Sequence, residues 1–374
     1  MNLLVDLDER FGPDALASAL RGIESAGYRA ARQHADGDEQ LMPWIDEVFG
    51  GTWSSEAYAG DSVIAYGQDG HAAFASYAAQ DLEFRWLRGV GAEAGVGIFG
   101  PFGVAPEHRK RGIGPHLLIA ALASLREQGY ERALIPAVGE ERLVEYYARH
   151  SGARIVETFE KSAFFAKSYR TLVLASGSGT NYQAVIDAVK AGRLPLNIAA
   201  LICNVPDAGI LARAKVEGTT AHVIAWDRTN ESRAAFDARL FDAAIEVGPE
   251  LVLLLGWMHL FDDAFVRRFA DRTINIHPAF LPFAQQDDEV ALSDGTYLPA
   301  FRGAHAVREA LRAGAGWIGA TAHELSIEAD RGRVLVRKPM RLPAGADLDG
   351  AMTLLRPIEQ KVVAGGIMRW VYER

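Results

Sequence analysis

The sequence predicts an α/β protein of two domains, a mixed-sheet domain over residues 1–168 followed by a doubly wound, mostly parallel sheet over residues 169–374. Three observations carry that prediction. The chain has 374 residues, 49% of them hydrophobic and 23% charged, enough for about two globular cores. From about residue 60 to 170 the apolar runs come in the order strand, strand, strand, helix, strand, helix, strand. From Tyr169 onward, strands alternate with amphipathic helices, the rhythm of a parallel sheet covered on both faces.

The elements of the first domain are read from their punctuation. "SVIAYGQDG" and "HAAFASYAAQ" form a hairpin around Gly67 and Gly70. "GVGIFGPFGVAP" is a long strand interrupted by glycines and ended by Pro106, and "PHLLIAALASLREQG" has the apolar spacing of a helix. In the second domain "RTLVLASGSGTN", "NIAALICN", "AHVIAW" and "ELVLLLG" read as strands. The helices between them are "YQAVIDAVKAG", "GILARAKVEG" and "ESRAAFDARLFDAAIEV", and "GAMTLLRPIEQKVVAGGIMRWVYER" is a closing helix.

Composition narrows the function classes. A net charge of −9 with dispersed basic residues leaves no electrostatic footprint for nucleic acid, so the expected partners are small molecules. Cys203 is the single cysteine, which excludes an internal disulfide and a cysteine-rich metal site and fits a reducing interior. The N-terminal "MNLLVDLDERFG" has acids where a secretion signal has lysines. The apolar run "LVLLLGWMHLF" is too short to span a bilayer. A cytoplasmic protein with no membrane partner is expected, with the oligomeric state left open, a homodimer included.

Three stretches carry chemistry. Arg109, Lys110, Arg111, Gly112, Ile113 and Gly114 lie between a strand and a helix beginning near Pro115, where glycines turn the backbone sharply and present N–H groups to an anion such as a pyrophosphate. Ser176, Gly177, Ser178, Gly179, Thr180 and Asn181 occupy the first strand-to-helix turn of the second domain, where a phosphate or carboxylate would bind. In "TINIHPAFLP" Asn275 and His277 are two apart on a strand and project to one face. Either they satisfy each other inside a core, or they line a site where a carbonyl reacts.

Arg-x-x-Gly-x-Gly after a strand ending in Val-x-Pro, in this order of elements, resembles the GNAT acetyltransferase superfamily over roughly residues 40–168. The resemblance implies acetyl-CoA as cofactor, its pantetheine along Phe102 and Val104 and its pyrophosphate on Arg109 to Gly114. It also implies a tyrosine that protonates the departing thiolate. "VEYYARHSGARIVE" offers Tyr146 and Tyr147, of which Tyr147 stands closer to the usual place, although its interval to Gly152 is one residue long. Either tyrosine could instead pack on the core. Glu93 is a candidate base by its place alone.

"LASGSGTNYQAVIDA", "LLLGWMHLF", "INIHPAFLP", "GAHAVREAL" and "TAHELSIEADRGRVL", in this order from about residue 171 to 371, resemble the folate-dependent formyltransferases, the purine-synthesis members most closely. By that resemblance Asn275, His277 and Asp330 are the catalytic residues and 10-formyltetrahydrofolate is the donor. Asn275 and a protonated His277 would stabilise charge developing on the formyl oxygen, while Asp330 would favour the imidazolium and help move a proton. The folate would lie along Met258, His259 and Leu260, and the acceptor on Ser176 to Asn181 with Arg356 and Glu359. A surface ion pair is the other reading of Arg356 and Glu359. The family imposes no metal.

Departures from the family pattern matter as much. His259 stands where the family has arginine, and Arg331 follows the acid where glycine is commoner. Residues 283–303, "FAQQDDEVALSDGTYLPAFRG", form a longer loop than the purine enzyme has. Its acids either suit a positively charged amine acceptor or are simply solvated. The combined expectation is a bifunctional acyltransferase that formylates one small-molecule amine and acetylates another, or a later form of the same molecule. The alternative is a formyltransferase whose GNAT-like half only binds.

Overall fold

The computed structural model describes the chain except residues 35–36, 51–52, 59, 79–92, 94, 159–165, 292–296, 344 and 373. The described residues form two compact units, one within residues 1–161 and the other within residues 162–374. No helix among them is long and apolar enough to cross a membrane.

The first unit is a seven-stranded sheet in the order β2-β3-β4-β5-β6-β1-β7. Its elements are β1 Asn2–Asp6, α1 Pro13–Ser25, β2 Arg29–His34, α2 Leu41–Val48, α3 Trp53–Tyr58, β3 Asp61–Gly67, β4 Gly70–Tyr77, β5 Val96–Val104, α4 Ile113–Glu127, β6 Arg132–Ile135, α5 Glu141–Ser151 and β7 Arg154–Glu157. The β3–β4 hairpin closes at Gly67↔Gly70, as its two glycines predict. Sequence reading began this domain's elements near residue 60 and missed β1 and α1. β1 sits inside the sheet, antiparallel to both β6 and β7. Its five residues are too few to display a period, and only sheet pairing brings Leu3, Leu4 and Val5 into the interior. The helix α1 lays Leu16, Ala19 and Ile23 inward and packs on α4.

β5 and β6 run parallel and pair only from Val96↔Arg132 to Ile98↔Leu134. The rest of β5, Phe99 to Val104, continues past the paired stretch toward the start of α4.

The second unit is also a seven-stranded sheet, in the order β10-β9-β8-β11-β12-β15-β16. It comprises β8 Tyr169–Ala175, α6 Thr180–Lys190, β9 Leu196–Cys203, α7 Gly209–Glu217, β10 Ala221–Val223, α8 Arg233–Val247, β11 Leu251–Leu254, α9 Asp263–Phe269, β12 Thr273–His277, α10 Ala306–Arg312, β15 Trp317–Glu324, β16 Val334–Arg341 and α11 Leu348–Tyr372. A separate hairpin, β13 Glu289–Ala291 with β14 Tyr297–Pro299, lies between β12 and α10. β8 through β12 pair in parallel, while β15 and β16 are antiparallel additions. The parallel strands are nearly continuous apolar runs because both faces are covered, with Leu172, Leu174, Val252 and Leu254 packed against Phe236, Leu240 and Phe265. Since β8, β11 and β12 are parallel neighbours, the segments that follow them emerge at one edge of the sheet, the usual place for a ligand.

Candidate active site

Asn275 and His277 stand at that edge, at the end of β12. β15 lies antiparallel to it with Asn275↔His323 and His277↔Thr321 as direct partners, so His323 joins them from across the ladder. Thr321 Oγ1 donates to the Ala279 carbonyl at 2.7 Å and accepts the Leu281 N–H at 3.1 Å. That pair of bonds fixes the chain just beyond His277. Asp330 reaches the same place from the β15–β16 connection. Its Oδ1 is 3.3 Å from Asn275 Nδ2 and 3.4 Å from His323 Nε2, and its Oδ2 is 3.5 Å from His277 Nδ1. Oδ2 also accepts the Gly303 N–H at 2.7 Å.

Backbone geometry aims this carboxylate. Asp330 has φ +55°, the left-handed region, which costs a residue other than glycine about 1 kcal/mol. Two positions on, a Cβ on Gly332 would lie 1.6 Å from the Glu324 carbonyl oxygen, so only glycine lets the turn close on β15.

Burial alone would raise the Asp330 carboxyl, but His323, His277 and the Gly303 N–H outweigh it and hold the group well below the usual range, so it is ionised. His277 is 4% exposed, and burial pushes its pKa down against the opposing pull of Asp330 and the Phe301 carbonyl. Burial therefore opposes the imidazolium that pairing with the acid favours. The His277 Nε2–H donates to the Phe301 carbonyl at 2.7 Å.

The predicted anion turn follows β8. Gly179 caps α6 with φ +76°, and a Cβ there would come within 2.7 Å of Ile210, so the turn demands glycine. Gly177 and Ser178 are exposed, their carbonyls taken by the Ile210 N–H and by Arg213 Nε. Asn181 lies at the start of α6 with its Oδ1 buried and unpaired. Glu359 of α11 is bonded to Asn181, and burial pushes its carboxyl up to about 7. It is 8% exposed and feels the charge of Arg356, which is itself exposed. The segment after β11 is tied to the same turn, because the Met258 N–H donates to Ser176 Oγ at 3.2 Å. Met258 and Leu260 are 56% and 69% exposed. Between them His259 packs against Trp226, Phe236 and Trp257, and burial with Arg233 and Arg228 pushes its pKa down.

In the first unit, Lys110 and Gly112 both have positive φ, +61° and +84°, and Gly112 caps the fifteen-residue α4. Arg109 Nε donates to the Val104 carbonyl at 3.0 Å, tying the turn to the end of β5. Lys110 and Arg111 are exposed, and Ile113 is buried. Tyr147 is 8% exposed in the core beside Phe99 and Phe102. Tyr146 stacks on Phe102 instead, and its hydroxyl is 3.1 Å from where a Cβ on Gly114 would stand. Burial pushes both phenols up, so both are protonated at neutral pH. Glu93 is paired with Arg132 at 2.9 Å.

The formyl transferase family model matches residues 169–284 and 294–364, half of the chain. Phosphoribosylglycinamide formyltransferase of Escherichia coli K12 is 32% identical over 178 residues, covering 48% of this chain and 76% of that protein. The protein of the same description from Bacillus subtilis is 27% identical over 189 residues, covering 50% and 88%. The chain belongs to the formyl transferase family. Its N-terminal part is a GNAT acetyltransferase domain, matched by that family's model over residues 18–153. The protein is thus an enzyme of the transferase class; formyl transferases in general use formyltetrahydrofolate, and GNAT enzymes use acetyl-CoA.

The formyltransferase match passes over residues 285–293, which contain Asp287, Asp288 and Glu289. These acids were expected either to face a cationic acceptor or to be solvated. Asp288 is 71% exposed, in keeping with the solvated reading, and its carboxylate is also bound by Arg302 and Arg331. His323 joins the site without standing out in the sequence. Its signal was a histidine in an otherwise apolar strand, and only the antiparallel register reveals its partners.

Proposed function

We propose that the C-terminal domain, residues 169–374, transfers the formyl group of 10-formyltetrahydrofolate to a small-molecule amine, and that the N-terminal domain, residues 1–168, acetylates an amine from acetyl-CoA. The observation that carries the first reading is the convergence of Asn275, His277, His323 and Asp330 at the end of one strand. As the amine nitrogen attacks the formyl carbon, its oxygen gains negative charge. Asn275 Nδ2 and the His277 Nε2–H are the donors for that charge, the latter exchanging the Phe301 carbonyl for the formyl oxygen. When the bond from the formyl carbon to the folate nitrogen breaks, the amine's surplus proton passes to that nitrogen through the Asp330–His277 pair. The turn Ser176–Asn181 supports an acceptor with an anionic group, with Glu359 beside Asn181 near its amine. Met258, His259 and Leu260 are the segment for the folate.

For acetyl transfer, support comes from the turn Arg109–Gly114 and from β5 beyond its paired stretch. Tyr146 fits a thiolate-facing role better than the buried Tyr147, because its hydroxyl meets the start of α4 where the cofactor would run. The reading is tested by incubating the whole chain with both donors and a panel of small amines, read by mass spectrometry. A mass gain of one formyl on some amine is the expected result; folate consumed with formate as its sole product would contradict it.

A further inference from the structure

We propose that Asp288, in the hairpin segment that the family model passes over, is a positioning residue for formyl transfer: it staples the two backbone segments that hold Asp330. The inference rests on the formyl-transfer reading above. The hydrogen bond that orients the Asp330 carboxylate comes from Gly303. Arg302 immediately precedes that donor, and Arg331 immediately follows the acceptor residue. Asp288 Oδ1 receives Arg302 Nη1 at 2.7 Å and Arg331 Nη2 at 2.5 Å, so one carboxylate closes a ring through Arg302, Gly303, Asp330 and Arg331.

Further bonds stiffen the ring. Arg302 Nη2 donates to the Asp287 carbonyl at 2.6 Å, Arg302 Nε to the Asp330 carbonyl at 3.3 Å, and Arg331 Nη1 to the Gln285 carbonyl at 2.8 Å. Arg331 also pairs with Glu328 at 3.2 Å. The hairpin itself is registered by Glu289↔Pro299 and by the Ala300 N–H on the Asp288 carbonyl at 2.8 Å.

Such over-determination has a purpose at this spot. Asp330 holds a left-handed backbone that a free loop of ordinary residues rarely keeps. Arg331, next to that strained residue, supplies a cation that Asp288 binds. In a carboxylate that must sit 3.3 to 3.5 Å from three side chains, a displacement of about 1 Å is costly to the reaction.

The test compares Asp288→Ala, Asp288→Asn and Asp288→Glu in the full chain. Asp288→Ala is expected to lower kcat for formyl transfer by about ten-fold with KM for the folate donor changed by less than about two-fold, and Asp288→Glu to restore most of it. In parallel, the His277 and His323 imidazoles are titrated by ¹⁵N NMR without substrate. The groups facing His277 are Asp330, His323 and Arg302. If the staple holds Asp330 in place, Asp288→Ala moves the His277 titration to lower pH, because burial is then less opposed. Unchanged kcat together with unchanged imidazole titration would overturn the proposal, as would a lowered melting temperature alone. If the wild-type chain transfers no formyl group, the functional reading fails, while the titration still decides the staple.

Discussion

The two candidate sites are built by different physics, and the contrast explains why one is easier to read than the other. The first rests on backbone: N–H groups at the head of α4, shaped by Lys110 and Gly112 at positive φ, with a tyrosine beside them among the described residues. The second relies on four side chains brought from β12, β15 and a left-handed turn. A backbone cradle is robust to side-chain substitution and sensitive to a Cβ; a side-chain cluster is the reverse.

The largest effect that would sharpen the contrast is on Asp330. Asp330→Asn keeps the shape, removes the charge beside His277, and is expected to lower kcat/KM for formyl transfer by about 10³-fold while acetyl transfer is unchanged. Steady-state kinetics on both reactions checks it. In the first unit, Tyr146→Phe should lower kcat for acetyl transfer by about ten-fold or more. Tyr147→Phe should instead lower the melting temperature with kcat little changed, because that ring is core; the reversed pattern would return the general acid to Tyr147.

A third effect is on stability. Glu359 is protonated in the fold up to about pH 7, against an ordinary value of 4.5. Its favourable contribution is complete below about pH 4.5 and is lost as pH rises toward 7, because the unfolded chain releases the proton first. Glu359→Gln cannot ionise, so relative to wild type it should gain up to about 3 kcal/mol between pH 4 and pH 8. Denaturant melts at the two pH values measure this, and a constant difference would contradict the burial argument. The smallest effect is at His259. Burial and two nearby arginines keep its ring neutral above its ordinary value of 6.5. KM for the folate donor should therefore vary by less than about two-fold from pH 6.5 to 8.

Much of this was legible in the chain because it depends on local pattern. The alternation of strands and helices from Tyr169, the hairpin at Gly67 and Gly70, and the convergence of Asn275 and His277 on one face all follow from periodicity. What escaped was non-local. β1 is a strand because β6 and β7 lie beside it, His323 reaches the site through a register 48 residues away in sequence, and Asp288 of the insertion is paired with arginines on other segments. For His277 the charged partner Asp330 was visible in the sequence, whereas the burial that opposes protonation was not.

The most direct test follows two isotopes at once. The whole chain, His277→Ala and Gly112→Trp are each incubated with ¹³C-formyl-labelled 10-formyltetrahydrofolate, deuterated acetyl-CoA and an amine pool, and products are resolved by mass. The account predicts both labels in products of the wild type, loss of the formyl label alone in His277→Ala, and loss of the acetyl label alone in Gly112→Trp. Formyl transfer that survives in His277→Ala would contradict it.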